Sequence, residues 1–344
     1  MNTIKHTTRE QVKAFCARIG KDPLLVQGAG GNVSWKDGNM LWVKASGTWL
    51  ADAVAKDIFI PLDLVDLRQA IANENFHTDP RLVVDSELRP SIETLLHALM
   101  PHKVVVHLHA VEILAHLVRT DPVAEIEKLI GGAVKWCCVD YYKPGAELAE
   151  AVAAHLLQQP DIDVIFLQNH GVVIGGASIA DIDIILQKLV LLLQNTMAPL
   201  LVDGETFEAA SILKSQTYSL CSDLEVNQLA TNNDLSSRLE SEWVLYPDHA
   251  VFLGGQASIL GHSISLDDLD DLDEKKPAFI FDLGIGVYES KTATTAQKVQ
   301  LRCYYDVLIR QPLTENLLTL SPDAIAELLD WDAEKYRKSL PKHK

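Results

Sequence analysis

RPSIETLLHALMPHKVVVHLHAVEILA, residues 89–115, is the stretch of sequence that decides the fold. Within it, Lys103 to Leu108 (KVVVHL) is a β-branched run of strand length, and Pro101 ends the helix predicted before it. Successive side chains of a strand point to opposite faces, so residues i and i+2 share a face. His107 and His109 are therefore predicted to present two imidazoles side by side, where both could bind one metal ion. An H-x-H pair alone is equally typical of two ordinary histidines near a strand end.

A second stretch, FLQNHGVVIGG at residues 166–176, supplies another histidine in a similar setting. Val164 to Leu167 is predicted as an apolar strand, Asn169 to Gly171 as the turn that ends it, and Val172 to Ile174 as the next strand. Together with the first two, His170 would complete a set of three histidines with an open position, as in catalytic zinc sites. Zn²⁺ is the expected cofactor, although imidazole also suits other divalent transition metals.

Overall composition narrows the class of protein. The chain has 344 residues, 48% of them hydrophobic, which is enough for a large core and more than one domain. Its formal net charge of −17 argues against nucleic acid or an anionic membrane surface as a partner. The most apolar stretch, Ile182 to Val202, is interrupted by polar residues and predicts a buried helix, not a membrane span. The five cysteines include no C-x-x-C pair, which predicts reduced thiols. The first residues lack the apolar segment of a signal peptide, and together these features predict a cytoplasmic location.

Two turns of small residues precede the histidines. A short strand at Leu24 to Gln27 is predicted to lead into GAGGN, residues 28–32. Val33 stands where a dinucleotide-binding G-x-G-x-x-G motif needs its third glycine, so we favour a concave group of backbone N–H donors that binds an anion. The second turn, Ala45 to Thr48, is joined to the first by a predicted hairpin, and Lys44 or Lys36 would add positive charge. The alternative is that these glycines only make tight turns.

Four blocks in order, GAGGNVSW, KASG, PSIE with VVVHLHA, and LQNHG, resemble the class II aldolase/adducin family, over about residues 8 to 200. That family includes fuculose-phosphate and rhamnulose-phosphate aldolases and ribulose-phosphate 4-epimerase. The resemblance assigns the metal ligands to His107, His109 and His170, and the acid/base glutamate to Glu93. The tyrosine that assists from a neighbouring subunit falls on Tyr141, which implies a homo-oligomer, a tetramer in most of the family. Pro90 to Glu93 are predicted to open the helix that reaches Met100, with Ser91 as its cap. Without the family, Glu93 is also explained as an acid in the first turn, where it favours the helix dipole.

The resemblance also implies a site for the substrate phosphate. It maps to Asn32, Ser46, Gly47 and Ser91, and Gly30 and Gly31 of the concave first turn are predicted to add backbone N–H donors. The chain departs from the family at Ile92, where the PSSE motif has its second serine. The substrate is therefore expected to be either a sugar phosphate or an unphosphorylated sugar or sugar acid.

The predicted architecture is α/β, a central β-sheet covered by helices in three layers, with a smaller C-terminal α+β unit. We predict a catalytic domain at residues 1–203 and a subdomain of unknown role at 204–344. The tail pieces YPDHAVFLG and LLDWDAEKYR resemble a longer subgroup, the aldolase half of fused rhamnulose-phosphate aldolase/lactaldehyde dehydrogenases. His249, in the first piece, precedes a predicted strand and is interpreted as structural, with a role in the active site as the alternative.

The expected activity is metal-dependent retro-aldol cleavage of a ketose, and the resemblance suggests a ketose 1-phosphate as substrate. Sugar-phosphate epimerisation and decarboxylation of a keto sugar acid remain alternatives, because they require the same enediolate chemistry. A non-catalytic, adducin-like module is a third possibility, but such a module is expected to lose the histidines and Glu93, which this chain retains.

Overall fold

The computed structural model describes residues 7–197, 217–263, 276–312 and 314–332. Contacts between Cα atoms divide the chain into two compact units. The first contains the chain up to Gln194 together with Trp331, and the second begins at Asn195 and includes Asp330. The domain boundary predicted at residue 203 lies outside the described residues and stays a prediction.

One sheet forms the centre of the first unit. Its strands, in chain order, are β1 (Asn32–Asp37), β2 (Met40–Lys44), β3 (Phe59–Asp63), β4 (Val104–Leu108), β5 (Trp136–Val139), β6 (Val164–Leu167) and β7 (Gly171–Gly176). Among the described residues these seven strands are ordered β3-β2-β1-β4-β7-β6-β5. Only the β5–β6 pair in this sheet is parallel, and the other neighbours are antiparallel. The strand that carries His107, β4, is therefore the middle strand.

Helices cover both faces of this sheet. They are α1 (Thr8–Ile19), α2 (Leu64–Ala72), α3 (Thr94–Leu99), α4 (Val111–Leu117), α5 (Pro122–Ile130), α6 (Ala146–Gln158) and α7 (Ile179–Leu192), with short 3₁₀ turns at Leu50–Asp52 and Gly131–Ala133. Alternate residues of β4 belong to different cores. Val104 and Val106 pack in a cluster with residues of α1, α4 and α7, whereas Val105 packs with residues of α3 and α6. The predicted three-layer α/β fold is confirmed.

Most predicted elements of this unit are present, with two corrections that affect the site. Leu24 to Gln27 is a turn and not a strand, because the N–H groups of Leu25 and Val26 both donate to the carbonyl of Asp22 at 3.0 Å. Helix α3 begins at Thr94, so Glu93 is its N-cap residue and does not lie in the first turn as predicted. Ser91 precedes the helix, and its hydroxyl accepts a hydrogen bond from the Glu93 N–H at 3.2 Å.

The second unit has a smaller sheet and mainly short helices. Its elements are β8 (Tyr218–Leu220), α8 (Gln228–Thr231), α9 (Asn233–Ser236), α10 (Arg238–Ser241), α11 (Pro247–Leu253), β9 (Phe279–Asp282), β10 (Gly286–Ser290), α12 (Thr295–Leu308) and α13 (Pro322–Asp330). In the described part of this unit, three strands pair in the order β8-β10-β9. His249 lies in α11 and not before a strand, which corrects the prediction. No described helix is long and apolar enough to cross a lipid bilayer.

Candidate metal centre

The three predicted histidines meet at one end of β4. His107 is the fourth residue of that strand and pairs with Asn32 of β1 on one side and Val173 of β7 on the other. His109 follows the strand, and His170 lies in the turn between β6 and β7. Asn169 makes this turn with a positive φ of 53°, which a non-glycine residue rarely adopts. The conformation is consistent with a functional constraint on the position of His170.

The histidine rings are close enough to share one ion. The Nε2 atoms of His107 and His109 are 3.1 Å apart. One nitrogen from each of the three rings lies within 4.8 Å of the other two, and all three residues are buried. Tetrahedral zinc with Zn–N bonds of about 2.0–2.1 Å separates its ligand nitrogens by roughly 3.3 Å. Across residues 7–197, 217–263, 276–312 and 314–332, no other group of three His, Cys, Asp or Glu residues meets this geometry.

The ring of His107 is oriented by the neighbouring strand. Its Nδ1 lies 3.2 Å from the carbonyl oxygen of Val172 in β7. A carbonyl can only accept, so Nδ1 carries the proton in this hydrogen bond. The lone pair of Nε2 is then directed towards the other two histidines. Hydrogen bonds of this kind commonly fix the tautomer of a metal-binding histidine.

Glu93 completes the site from the N-terminus of α3. Its Oε1 lies 3.4 Å from Nε2 of His170, and its Oε2 lies 3.6 Å from Nε2 of His107. The Asn32 amide donates to Oε2 at 2.6 Å. Glu93 is only 5% exposed, and no donor among the described residues hydrogen-bonds Oε1. A buried carboxylate oxygen without a donor, next to three imidazoles, is an arrangement that a divalent cation would stabilise, so these residues fit a metal ion.

The two small-residue turns also approach this region. Ala45 pairs with Pro90 in an isolated bridge, and the N–H of Ser46 donates to the carbonyl of Arg89 at 2.9 Å. The structure thus places the second turn beside Ser91, which is buried, as Ser46 is. Gly31 is held against β4, because a β-carbon there would stand 3.0 Å from the carbonyl oxygen of His107.

Several predicted donors of the anion site have other partners in this structure. Lys44 is buried, and its ammonium donates to the carbonyls of Ala29 at 3.0 Å and Thr48 at 2.7 Å. It therefore connects the two turns. Lys36 donates to the carbonyls of Met100 and His102, beyond the C-terminus of α3, and burial lowers its pKa to about 8. The backbone N–H groups of Gly30 and Ser46 also donate within the protein, to the carbonyls of Gln27 and Arg89 respectively. The positive φ of Gly47, 73°, shapes the second turn.

Tyr141 starts from a different part of the sheet. It follows β5, and strands β6 and β7 lie between β5 and β4. At about 4.8 Å per strand, β5 and β4 are roughly 14 Å apart. The loop nevertheless turns back towards Glu93, because a β-carbon at Gly145 would lie 3.8 Å from the carbonyl oxygen of Ile92. The hydroxyl of Tyr141 is buried. Its assistance across a subunit interface stays a prediction.

Two further buried residues, His97 and Ser34, lie next to Glu93 and Asn32. His97 lies one helical turn after Glu93 and is fully buried, with Nδ1 2.8 Å from Oγ of Ser34. Ser34 lies two residues after Asn32 on β1, so both face the same side of the sheet. The i, i+4 spacing places His97 one helical turn from Glu93, and the i, i+2 spacing places Ser34 on the same face as Asn32, but neither spacing predicts that Ser34 and His97 meet.

His249 lies in the second unit, inside an aromatic cluster. Its ring centroid is 4.4 Å from that of Trp243 and 4.7 Å from that of Tyr304. The residue is fully buried, and burial lowers the pKa of its imidazole to about 3. Neither ring nitrogen has a hydrogen-bond partner within the described part of the chain. Its surroundings are those of a neutral core histidine.

Comparison with protein-family models places this region in a known group. A model described as Class II Aldolase and Adducin N-terminal domain matches residues 10–188, which is more than half of the chain. The match includes β4, the turn with His170, both small-residue turns and Glu93.

Individual relatives are more distant. The chain is 31% identical over 174 residues to a Bacillus subtilis (strain 168) protein named uncharacterized oxidoreductase YuxG, with 46% of this chain and 25% of that protein aligned. This chain thus spans about a quarter of that relative. An N-terminal class II aldolase domain from Thermoplasma acidophilum is 29% identical with a TM-score of 0.44, covering 52% of this chain and 88% of its own. A sugar-phosphate aldolase from Thermotoga maritima is 15% identical with a TM-score of 0.43, covering 54% and 93%.

Proposed function

The chain belongs to the class II aldolase and adducin family, and from that premise we propose that it is a metal-dependent carbon–carbon lyase. Its reaction would be the reversible retro-aldol cleavage of a ketose to a three-carbon ketone and an aldehyde. The observation that carries this proposal is the buried group of His107, His109 and His170 with the Glu93 carboxylate 3.4–3.6 Å from two of the rings.

The metal requirement follows from the bond that must break. Cleavage of a carbon–carbon bond next to a ketone leaves the electron pair on an enediolate. When a divalent ion is bound to the histidines, the chemistry it supplies is a fixed positive charge that stabilises the enediolate oxygens. We propose Zn²⁺ for this role, with another divalent transition metal as the alternative.

The residues of the chain would provide binding and proton transfer. Glu93 would protonate the enediolate carbon in the cleavage direction and remove the same proton in the reverse direction, since it is buried and directed at the histidines. Asn32 orients the Glu93 carboxylate through the 2.6 Å hydrogen bond. Tyr141 would accept the proton of the hydroxyl that becomes the aldehyde oxygen in cleavage, and would protonate the aldehyde oxygen in the reverse direction. In this proposal it acts from a neighbouring subunit of a homo-oligomer, a tetramer by family resemblance.

An anionic end of the substrate would lie between the two small-residue turns. The Asn32 amide and the hydroxyls of Ser46 and Ser91 are the side-chain donors proposed for it, with Gly30, Gly31 and Gly47 shaping the turns. The buried ammonium of Lys44 holds the turns together and makes the local potential more positive. A sugar phosphate is the proposed substrate class. Ile92, which removes one serine of the family motif, keeps an unphosphorylated sugar or sugar acid as the alternative.

Two other reactions use the same groups. Epimerisation by retro-aldol cleavage and re-addition, and decarboxylation of a keto sugar acid, both pass through an enediolate. The substitution at Ile92 is the observation that keeps them as second candidates. A non-catalytic, adducin-like module is disfavoured, because the three histidines and the carboxylate converge in one place. Residues 1–203 are the proposed catalytic domain, residues 204–344 a subdomain of unassigned role, and the cytoplasm the proposed location.

Product analysis tests the proposal. Zinc-loaded protein is incubated with a panel of ketoses, ketose 1-phosphates, ketose 5-phosphates and 3-keto sugar acids, and products are identified by ¹H and ¹³C NMR. Cleavage to dihydroxyacetone phosphate or dihydroxyacetone plus an aldehyde supports the lyase. A product that is only an epimer, or one that has lost CO₂, would replace it by the corresponding alternative. Chelator-treated protein provides the control and should be inactive until metal is restored.

A further inference from the structure

The sheet face that carries His107 makes two contacts between β1 and the region of α3. One is the hydrogen bond from Asn32 to Glu93, and the other joins Ser34 and His97. In the antiparallel β1–β4 pair, Asn32 is opposite His107 and Ser34 is opposite Val105. Directly opposed residues of such a pair share a face. Asn32 and Ser34 therefore form two successive positions below α3, and each contacts a side chain of that helix or its N-cap.

The two contacts are one helical turn apart on α3. Asn32 donates to Glu93 at 2.6 Å, and Ser34 Oγ lies 2.8 Å from His97 Nδ1. The spacing of two residues along the strand, about 6.6 Å, is close to the helical rise of about 6 Å over four residues. Both contacts can therefore form at once only for one rotation and one height of α3 relative to β1.

Helix α3 is short, and the local hydrogen bonds at its N-terminus come from Ser91, which accepts from Glu93 and Thr94. The helix has six residues, and no side chain caps it at Glu93. An isolated helix of this length is not stable in water, so its orientation depends on tertiary contacts. Ser34 and His97 are both fully buried, which makes their hydrogen bond a specific constraint on the helix.

We propose that Ser34 and His97 are positioning residues, which hold the first turn of α3 so that the Glu93 carboxylate faces the three histidines. The role of Glu93 itself rests on the proposed function above. His97 acts through the backbone of its helix, since its N–H donates to the carbonyl of Glu93 at 3.3 Å. Burial lowers the pKa of His97 to about 3, so the ring is neutral at working pH and keeps this hydrogen bond.

The consequence for turnover is larger than the consequence for folding. Loss of one neutral buried hydrogen bond lowers the ratio of folded to unfolded protein about fivefold. A misplacement of about 1 Å at a reacting group lowers turnover by up to about 10²-fold. Ser34→Ala and His97→Phe should therefore lower kcat about tenfold or more, with little change in KM and in bound metal.

The test measures exchange of the α-proton of dihydroxyacetone phosphate with D₂O by ¹H NMR, which needs no knowledge of the aldehyde. Rates are expressed per bound metal ion, alongside metal content and the thermal unfolding midpoint. Variants are Ser34→Ala, His97→Phe, their double variant and Ser34→Thr, which restores a hydroxyl. Trp136→Phe is the matched control, because it removes one hydrogen bond, Nε1 to the carbonyl of Gly131 at 3.2 Å, on edge strand β5.

The proposal expects the exchange rate per metal ion to fall about tenfold in both single variants. The double variant should exchange no more slowly than the slower single variant, because the two residues act through one contact. Ser34→Thr should recover part of the rate that Ser34→Ala loses.

The proposal is overturned if both single variants exchange within about twofold of Trp136→Phe per metal ion, because the pair would then serve stability alone. Glu93→Gln, measured in parallel, distinguishes a failure of the positioning role from a failure of the proposed role of Glu93. Inactive Glu93→Gln beside active Ser34→Ala overturns only the positioning role, whereas full activity in both overturns the proposed role of Glu93 as well.

Discussion

Replacement of Glu93 by glutamine separates proton transfer from metal binding. Glutamine has nearly the same shape, and its amide oxygen can still accept from Asn32 at the position of the present 2.6 Å hydrogen bond. That bond changes from charge-assisted to neutral, which weakens it by about 1 kcal/mol, so the chain should remain folded. The three histidines are unchanged and should retain the ion.

Turnover should fall much further than stability. The amide cannot transfer a proton at neutral pH, and loss of a positioned general acid or base lowers rates by about 10²–10⁴-fold. This range corresponds to about 2.7–5.4 kcal/mol in the activation free energy, because about 1.36 kcal/mol is tenfold. Glu93 is 5% exposed and directed at two histidines, so solvent cannot readily substitute for it, and we expect the upper part of the range.

The assay is the initial rate of retro-aldol cleavage, with α-proton exchange in D₂O as a second readout, both per bound metal ion. Glu147→Gln is the matched control, since Glu147 is an exposed carboxylate in the first turn of α6. Wild-type turnover in Glu93→Gln at full metal occupancy would refute the role of general acid and base. Loss of the metal in Glu93→Gln would show instead that the carboxylate is a required ligand.

Two further predictions concern packing and pH. Gly171→Ala should destabilise the protein by at least about 2 kcal/mol and lower metal occupancy, because the new β-carbon would lie 2.4 Å from the Leu108 carbonyl oxygen and 3.2 Å from the His109 ring. Gly132→Ala, with open space around it, is the thermal-unfolding control, and equal midpoints for the two variants would contradict the prediction. His249, whose pKa is lowered from 6.5 to about 3, stays neutral in the folded chain while the unfolded chain binds a proton below pH 6.5. The contribution of His249 to stability is therefore full above that pH, and it falls by about 1.4 kcal/mol per pH unit as the pH drops towards 3. Between pH 7 and 5 the free energy of unfolding in urea should fall by about 2 kcal/mol less in His249→Phe than in wild type. Equal decreases in the two proteins would contradict this.

The sequence predicted the parts of the fold that depend on local pattern. β4 was recognisable because a run of valines followed a proline, and the convergence of His107, His109 and His170 followed from strand ends and from the resemblance. Leu24 to Gln27 was predicted wrongly as a strand, because an apolar run does not distinguish a strand from a buried turn. Here the carbonyl of Asp22 accepts two hydrogen bonds and closes the turn.

Side-chain partners could not be predicted from pattern. Lys44 and Lys36 were expected to add charge to an anion site, but their ammonium groups donate to backbone carbonyls, a choice set by tertiary packing. The start of α3 was placed too early, because Ser91 is a good capping residue by type, whereas the backbone of Glu93, with φ −96° and ψ 18°, is not yet helical. The contact of Ser34 with His97 joins residues 63 positions apart, which no local pattern reveals.

The central claim is that His107, His109 and His170 bind one divalent ion. It is tested most directly by the metal content per chain, measured by plasma mass spectrometry after loading with Zn²⁺ and removal of free ion. The control is His155→Ala, which removes an exposed histidine of α6. We predict about one ion per chain in wild type and in the control, and almost none in His170→Ala. A wild-type chain without metal, or a His170→Ala chain that holds as much as wild type, would contradict the account.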